Sequence, residues 1–244
     1  MTGPREVGVT PEQLVEQLKQ AMPAGLRSIV LYGSAASGDH ISGKSDYNVL
    51  IVAERLGMPE LNALSKPVRS WVRAGNRAPL LFTAEQFTLS ADSFPIEFSD
   101  MQQSRRVIFG EDVLARITVV PAHLRLQIER EIKAAVLQLR DRYLLTGGKP
   151  RAVAGLLVGS LSTFLVLMRA ALRLYQDDVP ARKLDAVRDL ARHVGFAPDV
   201  FTTIHELKEG GRKLREISPL ELFEIYLQTI QTVEGAVERR VRGK

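Results

Sequence analysis

Gly33-Ser34-Ala35-Ala36-Ser37-Gly38, closing one hydrophobic run, and Ser45-Asp46-Tyr47-Asn48, opening the next, are the residues whose types and spacing could do chemistry. A strand that ends in Gly-Ser presents the backbone N–H groups of the following turn to solvent, where they receive phosphate oxygens. The Ser34 hydroxyl adds a donor. Side chains alternate along a strand, so Asp46 and Asn48 face the same way, beside that cradle. Two oxygen ligands there would hold Mg²⁺ against a bound triphosphate, the arrangement of a phosphoryl-type transfer site. Asn48, however, is neutral where that chemistry asks for a second carboxylate.

The elements that must position these residues read clearly. Thr10-Pro11-Glu12 opens a helix, with Leu14, Leu18 and Met22 as its apolar stripe, ending by Pro23. Leu26 to Tyr32 and Tyr47 to Ala53 read as strands, a helix spans about 59–73, and strands are expected at about Pro79 to Thr83 and Pro95 to Phe98. After Pro121 helical periodicity takes over, at about 121–145, 150–176, 180–194, 198–209 and 218–241. The expected fold class is therefore α+β: a mixed sheet with helices over residues 1–115, then an all-α helical bundle over 116–244.

Leu31-Tyr32-Gly33-Ser34, a spacer, and Ser45-Asp46-Tyr47-Asn48-Val49-Leu50-Ile51-Val52 resemble the signature of the nucleotidyltransferase (polymerase β-like) superfamily: a hydrophobic strand, Gly-Ser, then Asp-x-Asp on the next strand. The motif covers about residues 26–54 and the organisation about 1–115. A helical domain after the catalytic one also resembles small-molecule (aminoglycoside-type) members. The resemblance implies transfer of a nucleoside monophosphate from a nucleoside triphosphate to a hydroxyl, with Mg²⁺ or Mn²⁺ and release of pyrophosphate. It assigns the metals to Asp46, Asn48 and Glu97, the last set in Ile96-Glu97-Phe98 on an expected later strand, with Asp100 a weaker substitute. It assigns the phosphates to Gly33 and Ser34, with Ser45 beside them, and makes Glu97 the group that accepts the acceptor hydroxyl's proton. The nucleotide is expected between the two domains.

Asn48 departs from that pattern. Asparagine keeps an oxygen donor but lacks one negative charge and one bridging oxygen, so a metal pair should bind more weakly. Deleting one preorganised electrostatic group at a reacting centre costs on the order of 10²–10³ in rate. A catalytically silent nucleotide-binding or regulatory module of the same fold is therefore the alternative reading.

Lys44 lies next to Ser45 and is a candidate phosphate contact. Gly43-Lys44-Ser45 looks like the end of a P-loop, but a strand follows where that motif requires a helix. Arg188 with His193, and Arg116 with His123, match the Arg-to-His spacing of HEPN ribonucleases, a remote alternative, since such spacings arise by chance in a chain this rich in arginine. His40 and His205 share no metal spacing with the others.

Composition bounds the rest. Absence of cysteine excludes disulfides, thiolate zinc sites and cysteine nucleophiles and fits a reducing, cytoplasmic setting. Residues 1–120 carry 12 Lys+Arg against 13 Asp+Glu, and residues 121–244 carry 21 against 15. An anionic small molecule or RNA suits the basic second half, around Arg169, Arg173, Arg182, Lys183, Arg188 and Arg192, better than an aminoglycoside. The apolar stretch Ala152 to Met168 is at the lower limit for a span and is broken by Ser160, Ser162 and Thr163, so a core helix rather than a membrane partner is expected. Gly155 and Gly159 read as tight packing, with a homodimer left open.

Overall fold

In the computed structural model, which describes residues 9–33, 36 and 47–240, the chain starts its first helix as its residues dictate. Thr10 and Gln13 form a reciprocal capping box ahead of α1 (Pro11–Ala21), which buries Leu14, Val15 and Leu18. β1 (Leu26–Tyr32) pairs antiparallel with β2 (Asn48–Ala53). α2 (Met58–Arg73) leads to β3 (Leu80–Thr83), which joins β2 in parallel. The strand order is β3-β2-β1-β4, with β4 spanning Arg105–Gly110.

The period-two alternation of the strands decides what covers each face. Ile29, Leu31, Val49, Ile51 and Ala53 pack with Leu14, Leu18, Leu64 and Trp71 of α1 and α2. Val30, Leu50 and Val52 pack on the opposite side with Phe87, Phe98 and Met101. A sheet buried on both faces explains why these strands read as unbroken apolar runs. Leu114 and Ile117 complete this second layer, and the first compact unit runs to Val120.

One expected element is of a different kind. Pro95 to Phe98 is not a strand but the first turn of α4 (Pro95–Gln103), preceded by the short α3 (Ala84–Leu89). Ile96-Glu97-Phe98 alternates like a strand, yet Pro95 sits at the first helical position and Pro95, Phe98 and Met101 repeat every three residues to make the buried face. The fourth strand is instead β4 (Arg105–Gly110), paired antiparallel with β1.

The second unit, Pro121–Lys244, is helical: α5 (Pro121–Thr146), α6 (Pro150–Leu172), α7 (Lys183–Val194), α8 (Asp199–Glu209) and α9 (Pro219–Arg239). By length and composition α6 could cross a membrane; here it packs against each of the other four helices of the unit. Fully buried Tyr226 of α9 sets its ring edge-on to Phe164 and Phe201, and its hydroxyl meets Ser160 Oγ at 3.4 Å. Burial pushes this hydroxyl far above the ordinary tyrosine range, the Ser160 contact pulling slightly the other way. The unfolded chain then ionises at lower pH than the folded one, so stability is complete below about pH 10 and declines above it. Urea unfolding followed by circular dichroism at about pH 9 and about pH 11 is expected to show that decline, and Tyr226→Phe to reduce it.

Candidate functional site

The last rung of the β1–β2 ladder pairs Tyr32 with Asn48, and the chain turns immediately beyond it. Gly33 takes φ +75° there, and a Cβ on it would stand 3.1 Å from Asn48 Nδ2. Glycine thus answers two demands at once, a left-handed backbone and close approach of the Asn48 amide. The Gly33 N–H donates to the Ser104 carbonyl at 2.9 Å, and its own carbonyl accepts the Ala36 N–H at 2.9 Å. What Gly33 contributes is therefore the turn itself, its N–H being taken by the Ser104 carbonyl. Ser34, Lys44, Ser45 and Asp46 lie outside the described residues, as does His40.

Tyr47 directs its ring to Trp71, centroids 5.8 Å apart, on the α1/α2 side of the sheet. Asn48 consequently shares the opposite side with Tyr32, Leu50 and Val52, the side α4 covers. Glu97 is exposed in the first turn of α4, while its neighbours Ile96 and Phe98 are buried. Its charge reaches the Tyr32 hydroxyl. Burial raises the Tyr32 pKa above the ordinary value, Arg77 opposes that rise and Glu97 adds to it. Glu97 is thus carried by a helix rather than by a strand, near enough to Tyr32 for its charge to act on that hydroxyl. Asp100 lies one turn further along α4 and is half-buried.

Two residues at this end were not singled out from the sequence. Tyr32 could have been, since it immediately precedes Gly33 and shares the strand parity of Val30. Arg77 is signalled only by tertiary structure, in the loop between α2 and β3, where its carbonyl accepts the Trp71 indole N–H at 2.9 Å. Arg105, paired across from Tyr32, is already committed: its guanidinium binds Asp112 at 2.9 Å and the Gln102 carbonyl at 2.6 Å.

Among the described residues no three His, Cys, Asp or Glu side chains come together as a metal site. Asn48 and Glu97 are hard oxygen donors of the type Mg²⁺ takes, with one charge between them. Joined by phosphate oxygens and Asp46, such a donor set fits one Mg²⁺ better than a pair, because Mg²⁺ is commonly held by one or two carboxylates plus substrate phosphates.

A five-residue step sets Arg188 and His193 about 140° apart around α7. Arg188 pairs with Asp185 at 2.7 Å, and His193 stacks on Tyr175 and meets Gln176 at 2.9 Å. Arg116 lies in the first unit and His123 in the second. Arg192 pairs with Asp189 at 2.8 Å, so part of the basic surface is neutralised within α7.

No protein-family model matches the chain, and no curated protein matches it by sequence. Among solved structures it is similar to a spectinomycin adenyltransferase from Enterococcus faecialis, determined with ATP and spectinomycin. The TM-score is 0.52 at 10% identity, over 96% of this chain and 100% of that one. At that identity the likeness is one of fold: an α+β chain with a mixed sheet followed by helices.

Proposed function

We propose that this chain binds a nucleoside triphosphate at the Gly33–Asn48 end of its sheet and transfers the nucleoside monophosphate to an acceptor hydroxyl slowly, Asn48 being the reason for the slowness. The observation that carries this reading is the junction itself: a left-handed Gly33 closing over Asn48, with the charge of Glu97 acting on the neighbouring Tyr32, in a fold similar to that of an adenyltransferase solved with ATP. Asp46, Asn48 and Glu97 would hold one Mg²⁺ or Mn²⁺, which when bound neutralises phosphate charge. Ser34, Ser45 and Lys44 are assigned to the phosphates, and Glu97 to the acceptor's proton. For the acceptor, the basic second half favours an anionic small molecule or RNA, with spectinomycin a necessary probe because the structural neighbour was solved with it. A silent nucleotide-binding module is the second reading, favoured by the missing carboxylate at position 48.

The test is incubation with Mg²⁺ or Mn²⁺ and each labelled nucleoside triphosphate, with RNA, spectinomycin or a cell extract. Pyrophosphate release and labelled product are read. Slow turnover is expected, reduced about 10²-fold or more in Asp46→Ala. Nucleotide binding without any turnover would leave the silent module, and absence of binding in the unaltered protein would overturn both readings.

A further inference from the structure

We propose that the turn joining α5 to α6 is a docking surface for anionic lipid, Leu144 and Leu145 entering the apolar boundary of a bilayer while Arg140, Arg142, Lys149 and Arg151 lie on its headgroups. This is independent of the nucleotide site proposed above. It concerns the bilayer surface and not a span, since α6 stays packed against the other helices of its unit.

Local sequence turns the leucines outward. Tyr143, four residues after buried Leu139, takes the inward position in the last turn of α5 and stacks on Phe223 of α9, ring centroids 4.3 Å apart. Successive helical residues are about 100° apart, so positions 144 and 145 cannot share that place. Leu144 and Leu145 are accordingly 75% and 87% exposed, the two most exposed large apolar side chains among the described residues. The turn that follows them is fixed. Gly147 and Gly148 take φ +58° and +70°, and the Thr146 hydroxyl donates to the Tyr143 carbonyl at 2.6 Å and accepts the Gly148 N–H at 3.2 Å. A turn already ordered gives up little conformational freedom on docking.

Charge chooses the partner. From Arg140 to Arg151 there are four cations against a single acid, Asp141, a net charge of +3. All four cations are exposed, and their side chains have no hydrogen-bond or ion-pair partner among the described residues. Protruding leucines need an apolar medium and the cations an anionic one, and a bilayer with anionic headgroups supplies both in one surface. A second copy seated on the same turn would set like charge against like charge. RNA would match the cations but leave the leucines against phosphates, and Tyr143, the only aromatic ring of this segment, is already stacked and offers no platform for a base.

Co-sedimentation of the full chain with vesicles of phosphatidylcholine alone, and with about 30% phosphatidylglycerol added, tests this. The unaltered protein is expected to bind the anionic vesicles about tenfold or more tightly than the neutral ones, with affinity falling as salt is raised. Leu144→Ser combined with Leu145→Ser leaves the charge unchanged and should cost about tenfold or more, and Arg142→Glu should cost more than Arg215→Glu, an equal change of charge outside the turn. Because the chain has no cysteine, Leu145→Cys can carry one polarity-sensitive dye, whose emission should shift to the blue on anionic vesicles while the same dye at Arg215→Cys does not. These positions are exposed, so the fold is expected to hold, and thermal melts of each variant check it. Undiminished binding by the leucine variant, or an unshifted dye at position 145 on sedimenting protein, would reduce the effect to net charge and overturn the proposal. Absence of binding to the anionic vesicles would overturn it as well. A vesicle-free dimer in sedimentation velocity that the leucine exchange dissolves would assign the turn to a second copy instead.

Discussion

Asn48→Asp is expected to raise nucleotidyl transfer by about 10²–10³-fold in Mg²⁺ or Mn²⁺, a gain of function from a single-atom exchange. The two side chains have nearly the same shape, so the ladder partner Tyr32 and the turn at Gly33 need not move. What changes is the group that lies against Gly33: an amide nitrogen, 3.1 Å from where a Cβ would be, gives way to a second carboxylate oxygen. Position 48 is half-buried, so the new charge keeps some water and is not forced to protonate. On the reading proposed above it would join Asp46 and Glu97 as a third carboxylate and so favour a metal pair. Pyrophosphate release from the best-binding nucleoside triphosphate measures the gain, and Mn²⁺ titration should show tighter metal binding alongside it. An Asn48→Asp protein that binds nucleotide and Mn²⁺ no better and turns over no faster would remove Asn48 as the cause of low activity.

The sequence carried the parts of this site that follow from local pattern and missed those made by long-range packing. β1, β2 and the expectation that Asn48 lies beside Gly33 follow from strand parity and a glycine where the strand must turn. The helices of the second unit follow from apolar periodicity bounded by proline and glycine, and Gly195 and Gly210 do take left-handed backbone at the ends of α7 and α8. Glu97 shows how far pattern reaches. Its place near the site was expected, but the element bearing it was misread, because three alternating residues fit a strand as well as the first turn of a helix. Pro95 was the deciding signal. β4 opens on two charges, Arg105-Arg106, that disguise a strand in the sequence; it is an edge strand of the sheet, and Arg105 there pairs with Asp112.

Gly110→Ala is expected to destabilise the first unit by about 2–5 kcal/mol. Gly110 ends β4 at φ +76°, opposite Ser28 across the sheet, and a Cβ on it would fall 1.9 Å from the Arg27 carbonyl oxygen. Two costs combine: roughly 1–2 kcal/mol for an alanine in left-handed backbone, and about 1–3 kcal/mol for driving a methyl group into a packed neighbour. The obstacle is backbone and cannot rotate away. Relief requires β4 to move off β1, which loosens the Glu111 N–H to Arg27 carbonyl bond at 3.3 Å and the bond from buried Ser28 Oγ to the Glu111 carbonyl at 2.6 Å. The strand would also withdraw Ile108 and Phe109 from the α1/α2 layer and Val107 from the other. Against a domain stability of about 5–15 kcal/mol this is a large fraction. The chain's single tryptophan, Trp71, lies in that unit's core, so its fluorescence in a urea titration reports this unit and not the helical one. The Trp71 transition should move to markedly lower urea. Gly75→Ala is the matched control: φ is +94° but nothing lies within 4 Å of the added Cβ, so it should show the backbone cost alone, about 1–2 kcal/mol. If the two variants shift the Trp71 transition equally, the close approach of β4 to Arg27 is not what makes glycine necessary at position 110.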